Sequence, residues 1–139
     1  MLISPYLVLL ASAVISFSTS DGALSGDIIA RHGTIYQTTK AGDPTQGFLQ
    51  IHNISDADVL TGANCPVADT TSLVGPNNQP ISNLAIPARQ DVALTANGPH
   101  LLLTSTHFPV QFGGIIPCSL TFKKAGVVSV FLFAVLPPK

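Results

Sequence analysis

The residues of this sequence most able to hold a metal or attack a substrate are four histidines, His32, His52, His100 and His107, and two cysteines, Cys65 and Cys118. Imidazole nitrogens suit Cu(II), zinc or nickel, whereas Cu(I) favours thiolate and thioether sulfur. The most telling spacing lies in "NGPHLLLTSTHFP", residues 97–109, where His100 enters an apolar run after an Asn-Gly-Pro turn and Leu102 follows two positions later. Residues two apart on a strand share a face. Positions 100 and 102 are therefore placed as a ligand pair would be, but a leucine methyl donates nothing. His52 follows the run "GFLQI" and His107 follows the His100 run, so His52, His100 and His107 are the set that one rim of a small fold could gather around a metal. The bland reading is a rim histidine satisfied by backbone or water. His32, beside Arg31, has no partner to name. The only methionine is Met1.

The cysteines leave two readings open. In an exported chain a Cys65–Cys118 disulfide is natural, and closing so long a loop stabilises by roughly 4 kcal/mol in the chain-entropy picture. As separate thiols, either could supply a soft ligand, although Cys65 precedes a proline in a turn and Cys118 opens an apolar strand. Catalysis finds little support. There is no G-x-S-x-G elbow, no phosphate-cradling glycine loop and no glutamate at all, and the Ser, His and Asp residues show no spacing that points to a triad. The chain reads as a non-enzyme. A blue-copper carrier is excluded locally, because neither His nor Met follows Cys118.

These side chains have to be positioned by strands. A 139-residue chain is one domain of ordinary size, and a sequence poor in strong helix formers but rich in Val, Ile, Thr, Gly and Pro favours strands and turns. The expected strands are 27–30, 34–37, 47–53, 59–63, 71–74, 81–84, 91–95, 100–104, 118–122 and 127–135, separated by Gly, Pro, Asn and Asp. That is the pattern of an all-β antiparallel sandwich without a helix of useful length. In "VVSVFLFAVL", residues 127–136, both faces of the strand are apolar, so it is expected to be central or covered. The net charge of −1 leaves no dominant field to steer nucleic acid or an anionic membrane, and the Lys123-Lys124 pair reads as a solvated turn. Asn53 opens an Asn-Ile-Ser glycosylation acceptor, relevant only in a eukaryotic secretory route.

The N-terminus carries an apolar stretch, Tyr6 to Phe17, with small residues at Ser18 and Ser20. It resembles a secretory signal, giving a signal peptide over residues 1–20 and a single domain over residues 21–139. No Lys or Arg precedes the stretch, and the competing reading is an uncleaved membrane anchor.

The order of "GFLQIHN", "DADVLTGANCPVADTTSL", "NLAIPARQDVALTANGPHLLL" and "CSLTFKKAG" resembles the periplasmic PCu(A)C copper chaperones over roughly residues 47–135. The resemblance implies a cupredoxin-like Greek-key antiparallel β-sandwich, a periplasmic or secreted location, and Cu(I) delivery toward cytochrome oxidase assembly. It also implies a site built from a His and a Met of one hairpin together with an H-x-M strand. His100 stands at the strand histidine and Leu102 at its methionine. Val74 falls near the hairpin histidine, and no methionine remains nearby. Most of the family's ligands are thus replaced. The competing reading is a metal-free secreted module that binds a protein partner through the apolar C-terminal strand or the His100 rim.

Overall fold

The computed structural model describes residues 27–138. The signal-peptide assignment falls outside them. Nine strands form: β1 (Ile28–Tyr36), β2 (Thr45–Asn53), β3 (Asp58–Asn64), β4 (Ala68–Val74), β5 (Leu84–Ile86), β6 (Asp91–Leu94), β7 (His100–Thr106), β8 (Ile115–Phe122) and β9 (Gly126–Val135). No helix occurs among the described residues. The strands bond in the order β4-β7-β2-β1-β9-β8-β3-β5, and β6 shares an edge of β2 with β7. The sheet curls so that its inward side chains meet in one core, giving an all-β, cupredoxin-like architecture.

Two features depart from a plain antiparallel sandwich. The halves are joined into one hydrogen-bonded path because β1 pairs with β2 on one side and β9 on the other, and the β1–β9 pairing is parallel. The two short strands expected over 27–30 and 34–37 are also one strand, β1, interrupted by a bulge. His32 takes a φ of 57° there, the β1–β2 register shifts between Arg31 and Thr34, and Gly33 lets β1 press against β9.

Elsewhere the two-residue period sets the core. In β2, residues 45, 47, 49, 51 and 53 point inward while Gln46, Phe48, Gln50 and His52 face out. In β8, Ile116, Cys118, Leu120 and Phe122 are buried. This strand begins at Ile115, earlier than expected, with Pro117 inside it. Pro117 is tolerated because β3 pairs with β8 only from Ser119 onward, so no ladder bond is asked of its missing N–H. Cys65, in the β3–β4 turn, and Cys118 are joined by a buried disulfide. The run expected over 81–84 is divided, since Ile81 N–H donates to the Leu73 carbonyl as part of a hairpin with β4, and β5 begins at Leu84.

Two polar side chains lock turns. The Asp58 carboxylate accepts from the backbone N–H groups of Val59, Lys124 and Ala125 at 2.7–2.9 Å, so the Lys123-Lys124 turn is tied to the start of β3. Asn53 is 1% exposed. Its amide donates to the Asp56 and Pro87 carbonyls at 3.0 Å and accepts from Ser55 N–H, so in the fold the asparagine of the acceptor motif serves as a structural clasp. Asn53→Ala strands these partners and is expected to cost about 2 kcal/mol of unfolding free energy in urea titration; a loss near zero would show that water replaces the clasp.

Strand β9 lies in the middle of the sheet, yet it is covered on one side only. Val130, Leu132 and Ala134 are buried, whereas Val127, Phe131 and Phe133 are each more than half exposed.

Candidate functional site

The alternation of β7 sends Leu101 and Leu103 into the core and His100 and Leu102 to the opposite face. His100 is nevertheless 0% exposed. Its ring is covered by the turn that follows β4, where Gly75 N–H donates to the Gln79 carbonyl and Asn78 adopts a φ of 60°. Asparagine visits this left-handed region more readily than most residues. Its side chain then reaches back to His100, with Oδ1 2.7 Å from Nε2, while His100 Nδ1 lies 2.9 Å from the Gly98 carbonyl. Both ring nitrogens thus face an oxygen, and the position of the imidazole proton sets which of the two contacts is a donated hydrogen bond. Gln46 Nε2 donates to the same Asn78 oxygen at 3.4 Å.

Aromatic rings complete the surround. Phe48 packs 5.8 Å from the His100 ring, centroid to centroid, and Tyr36 sits edge-on to Phe48 at 5.0 Å. Val74 is the direct cross-strand partner of His100, and Ser72 that of Leu102. Next to the capped histidine lies an open cleft of about 340 Å³ lined by Tyr36, Pro44, Gln46, Asn78, Leu102 and Pro137 among others. The chemistry on offer is thus one imidazole nitrogen facing carboxamides, with apolar walls. No methionine occurs among the described residues and both cysteines are bridged, so a sulfur-rich Cu(I) site does not fit these side chains.

The other histidines do not join His100. His107 lies just past the far end of β7, about 23 Å along an extended strand, where its Nε2 meets Asp69 Oδ1 at 2.7 Å. His52 is on the outer face of β2, paired in register with Asp91 of β6, and its Nδ1 hydrogen-bonds the Asp91 carboxylate. His32 is exposed at the bulge. Among the described residues no group of three or more His, Cys or Asp side chains could hold a metal, and the reason is the separation imposed by strand length and register. The residue the sequence reading missed is Asn78. Its contact with His100 spans 22 positions and depends on how the turn folds back, which no local pattern announces.

The hydrogen bond from His52, aided by its charge and that of Arg31, holds the Asp91 carboxyl below the ordinary aspartate value of 3.8. A carboxyl depressed on folding stabilises the fold above its unfolded pKa and loses that contribution as pH falls through its lowered value. Asp91→Asn is therefore expected to flatten the acid limb of the stability–pH curve below about pH 4. An unchanged limb would remove Asp91 from the account.

The family described as "Putative lipoprotein LpqE-like" matches residues 28–133, almost the whole described sandwich. The chain belongs to the LpqE-like family. Solved structures similar to this LpqE-like chain include the apo PCuAC domain from PmoF1, with a TM-score of 0.72 and 18% identity over 81% of this chain and 96% of that one. The copper-bound PCuAC domain from PmoF2 gives a TM-score of 0.72 and 18% identity, covering 81% and 95%. The solution structure of CuI-DR1885 from Deinococcus radiodurans gives 0.61 and 17%, covering 84% and 85%. At such identities the likeness establishes a shared fold. No curated protein matches the LpqE-like sequence.

Proposed function

We propose that this LpqE-like protein is a non-enzymatic, copper-handling protein of the PCuAC chaperone type that acts in the periplasm or after secretion, with His100 as its one inherited copper donor. The observation that carries this reading is the posture of His100. Metal-ligating histidines commonly donate their second ring N–H to a carbonyl or carboxylate, which fixes the tautomer and aims the other nitrogen. His100 has that arrangement in part, with Nδ1 held at Gly98 and Nε2 facing Asn78, a residue that lines the cleft beside Leu102. At the neighbouring positions where the resemblance calls for donors stand Val74 and Leu102. Copper as cargo would thus be held weakly and passed on readily, and cytochrome oxidase assembly is the destination the resemblance suggests.

A second reading, a metal-free module that binds a protein partner, is favoured by one specific observation: the Asn78 carboxamide already satisfies His100 Nε2, and no sulfur donor stands near.

Affinities measured separately for Cu(I) under reducing conditions and for Cu(II) decide between them. Weak binding by the wild type that disappears in His100→Ala supports copper handling. No binding of either ion supports the second reading. Leu102→Met nearly conserves volume and places a thioether on the same strand face as His100. It is expected to raise Cu(I) affinity roughly tenfold, about 1.4 kcal/mol, and the gain should vanish on adding His100→Ala. Absence of any gain would mean that the side chains at 100 and 102 do not converge on one ion.

A further inference from the structure

His100 is fully buried, so whatever binds it must first uncover it. Nδ1 is held 2.9 Å from the Gly98 carbonyl, Phe48 packs on the ring at 5.8 Å between centroids, and Val74 is the cross-strand neighbour. These groups belong to paired strands or to the turn that opens β7. Nε2 is different, because the atom against it, Asn78 Oδ1 at 2.7 Å, comes from an exposed turn. A metal–imidazole bond is ~2.0–2.1 Å long. Asn78 thus stands in the space that an ion on Nε2 would use.

The bonds of that turn fall into two sets. Gly75 N–H donates to the Gln79 carbonyl at 2.8 Å and Asn78 N–H to the Gly75 carbonyl at 2.9 Å, both within the turn. Its tip is tied to the sheet by the Asn78–His100 contact and by the 3.4 Å bond from Gln46 to the same oxygen. Residues 76–80 are exposed throughout, so lifting the tip gives up little burial of its own and keeps the inner bonds. Segments with few buried contacts open at low free energy. Asn78 is meanwhile fixed at φ 60°, a conformation that a non-glycine residue keeps where its surroundings impose it. Asn78 and Gln46 also line the cleft beside Leu102, so withdrawing Asn78 joins that cleft to Nε2.

We infer that Asn78 is a removable plug on the copper donor: its carboxamide occupies the position of an incoming ion, and the 75–80 turn lifts before His100 binds anything. The inference rests on the copper-handling reading for the nature of the ion, while the plug itself is a property of this fold. Loading and release then share one step. A closed turn rejects copper, and its re-closure over Nε2 replaces the ion with a hydrogen bond, which offsets part of the cost of giving the cargo up. The apparent affinity is the intrinsic one reduced by the fraction of molecules whose turn is open.

Modification of histidines by diethyl pyrocarbonate, followed residue by residue by peptide mass spectrometry on the full-length protein, reads the plug without any metal. In wild type, His100 is expected to react roughly tenfold or more slowly than the exposed His32. Asn78→Gly keeps the left-handed backbone and removes the carboxamide. It should raise the His100 rate roughly fivefold, the worth of one net hydrogen bond, with His32, His52 and His107 unchanged. Gln46→Ala carries the same test from β2, should the glycine variant lose its fold. Affinity for Cu(I) or Cu(II), whichever the wild type binds, should rise by about the same factor in Asn78→Gly. The inference is overturned if wild-type His100 reacts as fast as His32, if its rate ignores both substitutions, or if Asn78→Gly binds copper more weakly, which would make Asn78 a ligand. A faster His100 in a variant that, like the wild type, binds neither ion keeps the plug and rejects the copper-handling reading.

Discussion

Replacing Cys65 and Cys118 together by alanine is expected to lower the unfolding free energy by roughly 4 kcal/mol, a large share of the ~5–15 kcal/mol that holds a domain of this size. The bridge closes a loop with a sequence separation of 53, containing all of β4 to β7 and the start of β8, so cutting it releases a large conformational freedom in the unfolded chain. Both sulfurs are buried, and alanine leaves small voids in their place, which adds to the loss. Urea unfolding of the double variant, compared with wild type under oxidising and reducing conditions, measures the effect. Reduced wild type should fall toward the variant. If oxidised wild type and the double alanine variant unfold within about 1 kcal/mol of each other, the chain-entropy account of this bridge is wrong.

Gly33→Ala is expected to be the most damaging single methyl addition in the domain, at about 3 kcal/mol or more. A Cβ there would stand 2.5 Å from the Phe131 carbonyl oxygen, 2.6 Å from Leu132 Cδ2 and 3.3 Å from Leu132 Cα. Two of those atoms belong to the β9 backbone, which is pinned by β8 on its other side and cannot retreat cheaply. The parallel β1–β9 register begins at Gly33↔Leu132, so the clash falls where the two halves of the sheet are joined. Gly62→Ala is the control, because a Cβ there meets nothing within 4 Å, and its change should stay within about 1 kcal/mol. Thermal melts of both variants decide. Equal, small losses would mean that β1 and β9 can slide apart to admit the methyl.

Strand identity was legible where side chains alternate, as in "TQGFLQIHN", and so was the sharing of a face by His100 and Leu102. The bulge was hidden because "RHG" looks like punctuation between strands. Only the tertiary press of β1 on β9 makes an arginine-histidine-glycine step part of one strand. Apolar residues on both sides of β9 suggested a cover, yet Phe131 and Phe133 are open, because periodicity reports what a face is made of and not what lies over it. The His52/His100/His107 set depended on distances that only register supplies, and register carries each histidine to a different rim and, for two of them, to an aspartate. Asn78 carries a polar side chain in a Pro-Asn-Asn-Gln-Pro turn, a composition that signals a turn and says nothing of what the turn closes upon.

The parallel seam between β1 and β9 also bears on when the protein can fold. The first described strand needs as its neighbour the last, and the rows Gly33–Tyr36 and Leu132–Val135 are separated by nearly the whole domain. Until the ribosome has released Val135, β1 has nothing to lie against on that side, and the nascent chain can assemble only ladders that do not use β9, among them β1–β2, β2–β7, β4–β7 and β3–β5. Pairings of such high sequence separation form slowly, because their loop-closure entropy must be met before the contacts reward it. The finished barrel-like wall is therefore a post-translational structure. A chain of this topology keeps its wall open for as long as its final strand is missing.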